Sequence, residues 1–97
     1  MPARTPLAPD ALAAALADLP GWEVQGDRLA RTFTFADFRE AMAFIVRVAF
    51  EAEALDHHPE LTNVYNRVTL ALTTHDAGNR VTETDLALAR AIAALAP

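Results

Sequence analysis

Two of the three histidines in this 97-residue chain are neighbours, His57 and His58, set among Glu53, Asp56 and Glu60 with Pro59 directly behind them. The third, His75, follows a strand-like run. Imidazole is the only side chain whose ordinary pKa lies near neutrality, so these are the best candidates for proton transfer. Two imidazoles of different protonation bracketing one substrate make a standard acid–base arrangement. Glu53 precedes His57 by four residues, one helical turn, which predicts a carboxylate–imidazole pair that holds one tautomer. The competing reading is that adjacent histidines at a helix end are solvated capping residues. Three histidines and a carboxylate resemble an open zinc site, but no H-x-x-x-H or HExxH spacing is present, so no metal is expected. The chain has no cysteine, which excludes disulfides and thiolate chemistry, and no serine, which excludes a serine triad. It also lacks a glycine-rich phosphate loop. Taken alone, Tyr65 reads as a strand aromatic and Asp85 as a first-turn acid of a helix.

These side chains need elements to carry them. Residues 1–8 hold two prolines and little pattern, and are expected to form a loosely ordered arm before a single domain at 9–97. Leu12, Leu16 and Leu19 mark a short amphipathic helix stopped by Pro20-Gly21. Trp22 and Val24 alternate with polar residues, Gly26-Asp27 supplies a turn, and Leu29 to Phe35 is the returning strand. Arg31 shares the parity of Leu29 and Phe33, which implies either a bulge or a position at an edge.

Between Asp37 and Asp56 the period becomes helical, with apolar residues on more than one face. That leaves two readings, a central core helix or a helix that also meets a second subunit, with Phe44 or Val48 facing the partner. Pro59 ends this helix near Asp56 or His57. Asn63 to Thr74 alternates as one long strand, with Val64, Val68, Leu70 and Leu72 on the buried face. A short strand at Arg80-Val81 follows, then a last helix opened by Thr82-x-x-Asp85, which has capping-box spacing. The order α-β-β-α-β-β-α predicts an α+β fold: an antiparallel sheet of three to four strands with helices packed on one face.

The net charge of −5, with both signs interspersed, argues against a nucleic-acid partner. No apolar run approaches the ~18 residues of a membrane span, so a cytoplasmic protein is expected. A domain this small, with 53% hydrophobic residues, has apolar surface to spare for self-association.

The pattern Glu53-x3-His57-His58-Pro59-x5-Tyr65-x9-His75-x9-Asp85 resembles the signature of the pterin-4a-carbinolamine dehydratases. The words around it, Leu55 to Glu60, Asn63 to Asn66, Thr74-His75 and Thr82 to Asp85, are similar too. The chain departs from many members at Leu61, where they carry tryptophan, and in a loop between His75 and Asp85 about a residue longer than in some. The resemblance implies dehydration of a 4a-hydroxytetrahydropterin to the quinonoid dihydropterin, in the recycling that serves an aromatic amino acid hydroxylase. It implies no metal or organic cofactor. It assigns His57 and His75 to acid–base work, without saying which is which, and His58 to binding and orienting the pterin. Glu53 and Asp56 would set the imidazoles, Pro59, Thr74, Asp76 and Ala77 would line the pocket, and Tyr65 and Asp85 would support it. It further implies a homodimer or tetramer. The alternatives it leaves open are a dimerisation cofactor for a transcription factor and another role near pterin or molybdopterin metabolism.

Overall fold

The computed structural model describes residues 5–96. Its elements follow the order α1 (Pro9–Leu16), β1 (Glu23–Gln25), β2 (Arg28–Thr34), α2 (Phe38–Ala54), β3 (Glu60–Val64), β4 (Arg67–Leu72) and α3 (Glu83–Leu95). All strand pairs are antiparallel, and the sheet order is β1-β2-β4-β3. The fold is the expected α+β one. Leu29 and Phe33 of β2 and Val68, Leu70 and Leu72 of β4 make the apolar face of the sheet. Ala41, Phe44, Val48 and Ala52 of α2 and Leu88, Ala89 and Ile92 of α3 cover it. Phe44 is the centre of an aromatic cluster, its ring 4.7 Å from Phe33 and 4.9 Å from Phe35. The other sheet face carries the paired hydroxyls of Thr32 and Thr69, 2.9 Å apart, and the Arg28–Glu60 ion pair.

The run from Asn63 to Thr74 is a hairpin, β3 and β4, turning at Tyr65-Asn66. Val64 therefore lies outward and 46% exposed, opposite Arg67. The fourth strand is β3, whereas Arg80 makes only an isolated bridge to Thr74. The pairing of β2 with β4 is unbroken from Leu29 to Thr34, so no bulge intervenes at Arg31. Arg31 instead lies past the last β1 pair, where its guanidinium sits 4.2 Å from the centre of the Phe33 ring and against Gly21. Phe44 and Val48 belong to the core of the subunit; the exposed large apolar residues of α2 are Phe38, Val46 and Phe50. Of the residues expected to form an arm, 1–4 lie outside the described part. Leu7 donates its N–H to Val81 O at 3.0 Å and Pro6 bridges to Thr82, beside the start of α3.

Candidate functional site

Three chain segments converge at the end of the sheet where β4 finishes. The first is the C-terminus of α2. Leu55 caps the helix, and Asp56 adopts φ +50, the left-handed conformation that commonly follows a cap. Asp56 N–H donates to Glu53 O at 3.1 Å and His57 N–H to Ala52 O at 3.0 Å, the paired bonds of a Schellman motif. The reversal sends the two imidazoles apart. His57 turns inward and is 6% exposed, whereas His58 stays on the surface.

The second segment is the end of β4, where buried Thr74 precedes a single 3-10 turn at His75–Ala77. Gly78, at φ +74, and Asn79, at φ +60, bring the chain back so that Thr74 N–H donates to Arg80 O. The third is the start of α3, where Thr82 and Asp85 form the expected capping box.

Asp85 joins the three. It is fully buried, and Oδ1 lies 2.5 Å from His57 Nε2. Its Oδ2 accepts from the Thr74 hydroxyl and from Thr82 N–H, both at 2.8 Å. Thr82 Oγ1 accepts from Thr84 N–H at 3.2 Å and lies 2.7 Å from Thr74 Oγ1. A backbone N–H can only donate and an ionised carboxylate can only accept, so the chain of hydroxyls runs one way, Thr82 to Thr74 to Asp85. Three donors and a helix N-terminus are what let a carboxylate sit at zero exposure. His57 Nε2–H donates to Asp85, so Nδ1 is the nitrogen left to a ligand.

The expected Glu53–His57 pair is not formed. Glu53 meets His58 instead, Oε1 to Nε2 at 2.7 Å, with both side chains well exposed. An exposed pair of this kind contributes about 0–1 kcal/mol, so its use is to orient the ring. His75 Nδ1 lies 2.6 Å from Asn79 Oδ1.

Asp56, His57, His58, His75 and Asp76 line a cleft of about 300 Å³. That is at the small end of ligand clefts, roughly 300–1,000 Å³, and suits a small heterocycle. Two hollows on the α2 side, about 320 and 610 Å³, are larger but contain no histidine. The acid–base groups all lie at the smaller one, and chemistry outweighs volume here. Among the described residues, no three His, Cys, Asp or Glu are placed to hold a metal ion.

The fold thus brings Glu53, Asp56, His57, His58, Pro59, Thr74, His75, Asp76, Ala77 and Asp85 to one end of the sheet. It does not bring Tyr65, which is 79% exposed in the turn at the other end of β4. Sequence reasoning missed Thr82 as a partner of the site and Asn79 altogether. The available signals were the Thr82-x-x-Asp85 cap and an amide four residues after a histidine.

A family profile described as Pterin 4 alpha carbinolamine dehydratase matches residues 5–95. A protein of Opitutus terrae, provisionally named pterin-4-alpha-carbinolamine dehydratase, is 60% identical over 75 residues, 77% of either chain. The crystal structure of a protein titled transcriptional coactivator/pterin dehydratase, from Brucella melitensis, superposes with a TM-score of 0.90 at 43% identity. The match covers 96% of this chain and 100% of that one. A pterin dehydratase-like protein described as a RuBisCO assembly factor in the alpha-carboxysome superposes at 0.67 with 26% identity, over 78% of this chain and 89% of its own.

Proposed function

The chain belongs to the pterin 4 alpha carbinolamine dehydratase family, and from that premise we propose that it dehydrates a 4a-hydroxytetrahydropterin to the quinonoid dihydropterin. The observation that carries this reading is the meeting of His57, anchored on buried Asp85, with His75 in one cleft. Loss of water from carbon 4a requires a proton for the departing hydroxyl. It also requires loss of the N–H proton from the adjacent ring nitrogen, whose electrons then form the new double bond. We assign these two transfers to His57 and His75, which line the same cleft. His58, held by Glu53 at the cleft rim, orients the ring, and the backbone around Thr74 to Ala77 with Asp76 borders it. The reaction needs neither metal nor organic cofactor. Its place is cytoplasmic tetrahydropterin recycling beside an aromatic amino acid hydroxylase, and its working form is a homodimer or tetramer.

A protein-binding role is the second reading. It draws on the coactivator and assembly-factor titles of the two structural neighbours and on the exposed apolar residues of α2. A stopped-flow assay of 4a-hydroxytetrahydropterin decay separates the two. The protein is expected to accelerate decay with or without chelator, and His57→Ala and His75→Ala each to lower kcat/KM by about 10- to 1,000-fold. Decay no faster than without protein would leave the binding role standing.

A further inference from the structure

We propose that Asn79 is a positioning residue that holds His75 in its Nδ1–H tautomer, making His75 Nε2 the proton acceptor of the cleft and leaving His57 as the donor. The contact is His75 Nδ1 to Asn79 Oδ1, 2.6 Å. An amide oxygen can only accept, so Nδ1 carries the proton. A neutral imidazole has one N–H, so Nε2 then carries a lone pair. Free histidine favours the opposite tautomer, and the contact reverses that preference.

Asn79 is itself held. It occupies the left-handed region at φ +60, where asparagine is among the few tolerated side chains. Its N–H donates to Thr74 O at 3.0 Å, and the neighbouring Thr74–Arg80 bridge closes the loop. The Asn79 backbone is therefore fixed by the same residue, Thr74, whose hydroxyl bonds Asp85.

The two rings are consequently presented through opposite nitrogens. His57 is tied by Nε2 and offers Nδ1; His75 is tied by Nδ1 and offers Nε2. For the dehydration, His57 starts doubly protonated against the Asp85 carboxylate and gives its Nδ1 proton to the hydroxyl. The C–O bond breaks with its electron pair on oxygen, and water departs. The lone pair of the adjacent ring nitrogen closes the double bond, and that nitrogen's proton passes to His75 Nε2. Exchange with solvent returns a proton to His57 and removes one from His75. This division of roles rests on the dehydratase reading, whereas the tautomer does not.

The test is long-range ¹H–¹⁵N correlation spectroscopy of the full chain, at a pH where His75 is neutral, joined to single-turnover kinetics. In the wild type the His75 proton is expected on Nδ1. Asn79→Gly suits the positive φ, so the loop persists. It is expected to move the proton to Nε2 and lower kcat by roughly ten- to a hundredfold, with KM little changed. Asn79→Asp retains an acceptor oxygen, so it is expected to keep the Nδ1–H tautomer and most of the turnover. A wild-type His75 protonated on Nε2, or Asn79→Gly with tautomer and kcat unchanged, would overturn the proposal. A tautomer that shifts in Asn79→Gly while kcat does not would overturn the acceptor assignment. If the tautomer behaves as expected and no form of the protein dehydrates the substrate, the positioning by Asn79 stands and the dehydratase reading falls.

Discussion

Asp85 is the residue on which the site depends most heavily. Asp85→Asn preserves size but puts an NH₂ where a carboxylate oxygen now accepts from His57 or from Thr74 and Thr82. One donor must then face another, or His57 must adopt the wrong tautomer. In the serine-protease triad the equivalent change lowers turnover by about 10⁴. We expect Asp85→Asn to reduce kcat by about 10²- to 10⁴-fold and stability by about 1–3 kcal/mol, read by single-turnover kinetics and urea denaturation. Thr74→Val removes one donor from the same carboxylate and keeps the volume. Its cost should fall in the same stability range, with a smaller kinetic effect because His57 keeps its partner. Wild-type turnover in Asp85→Asn would sink this account. At this scale the sequence was informative about which residues meet and misleading about how. The (i, i+4) rule pairs Glu53 with His57 only if the helix continues, and the left-handed Asp56 ends it one residue too soon.

At the scale of elements, that left-handed residue is a joint between α2 and the site. Glycine is the usual occupant of such a position, and aspartate carries a modest penalty. Asp56→Gly is expected to leave stability within about 0.5 kcal/mol of wild type. A β-branched side chain cannot adopt this φ without strain, so Asp56→Val should cost about 1–3 kcal/mol and misdirect His57. Thermal denaturation of the two variants side by side checks this; equal melting temperatures would refute it. The starts of α2 and α3 were legible because Asp37, which accepts from Glu40 N–H at 2.8 Å, and Thr82 are side-chain caps written in the sequence, whereas α1 ends at Leu16, short of Leu19 and Pro20. The β3–β4 hairpin was not legible. Its turn, Tyr65-Asn66, contains no glycine, and Tyr65 itself takes φ +51. The inward positions are odd in β3 and even in β4, as Leu61 opposite Leu70 shows. Val64 therefore seemed to continue the stripe of Val68, and the reversal passed for alternation. The turn is held by two asparagine side chains, one bonding within the turn and one reaching the end of β2. Asn63 donates to the carbonyls of Tyr65 and Arg67, and Asn66 to that of Phe35.

For the whole molecule, most of the exposed large apolar residues fall on α2 and β3, with Val24 on β1 and Tyr65 in the hairpin turn. Phe50 is 73% exposed, Val46 54% and Phe38 52%, while Leu61 and Val64 lie on β3, the outer strand of the sheet beyond β4. An edge of this kind invites pairing with another chain. A two-fold contact would use the same residues from both copies. We expect light scattering to show a dimer or larger at micromolar concentration, and Phe50→Glu or Val46→Arg to lower the mass while the fold persists. Phe44→Glu should instead unfold the subunit at any concentration, because Phe44 is 2% exposed inside it. A monomeric wild type would dismiss the assembly. All three histidines precede residue 76, yet the carboxylate that orders one of them lies 28 residues beyond it, in the first turn of the last helix. This contact closes only when the first turn of α3 docks beside the C-terminus of α2. A growing or partly refolded chain thus possesses every proton-transferring ring and no working arrangement of them. Activity should arrive together with the docking of α3.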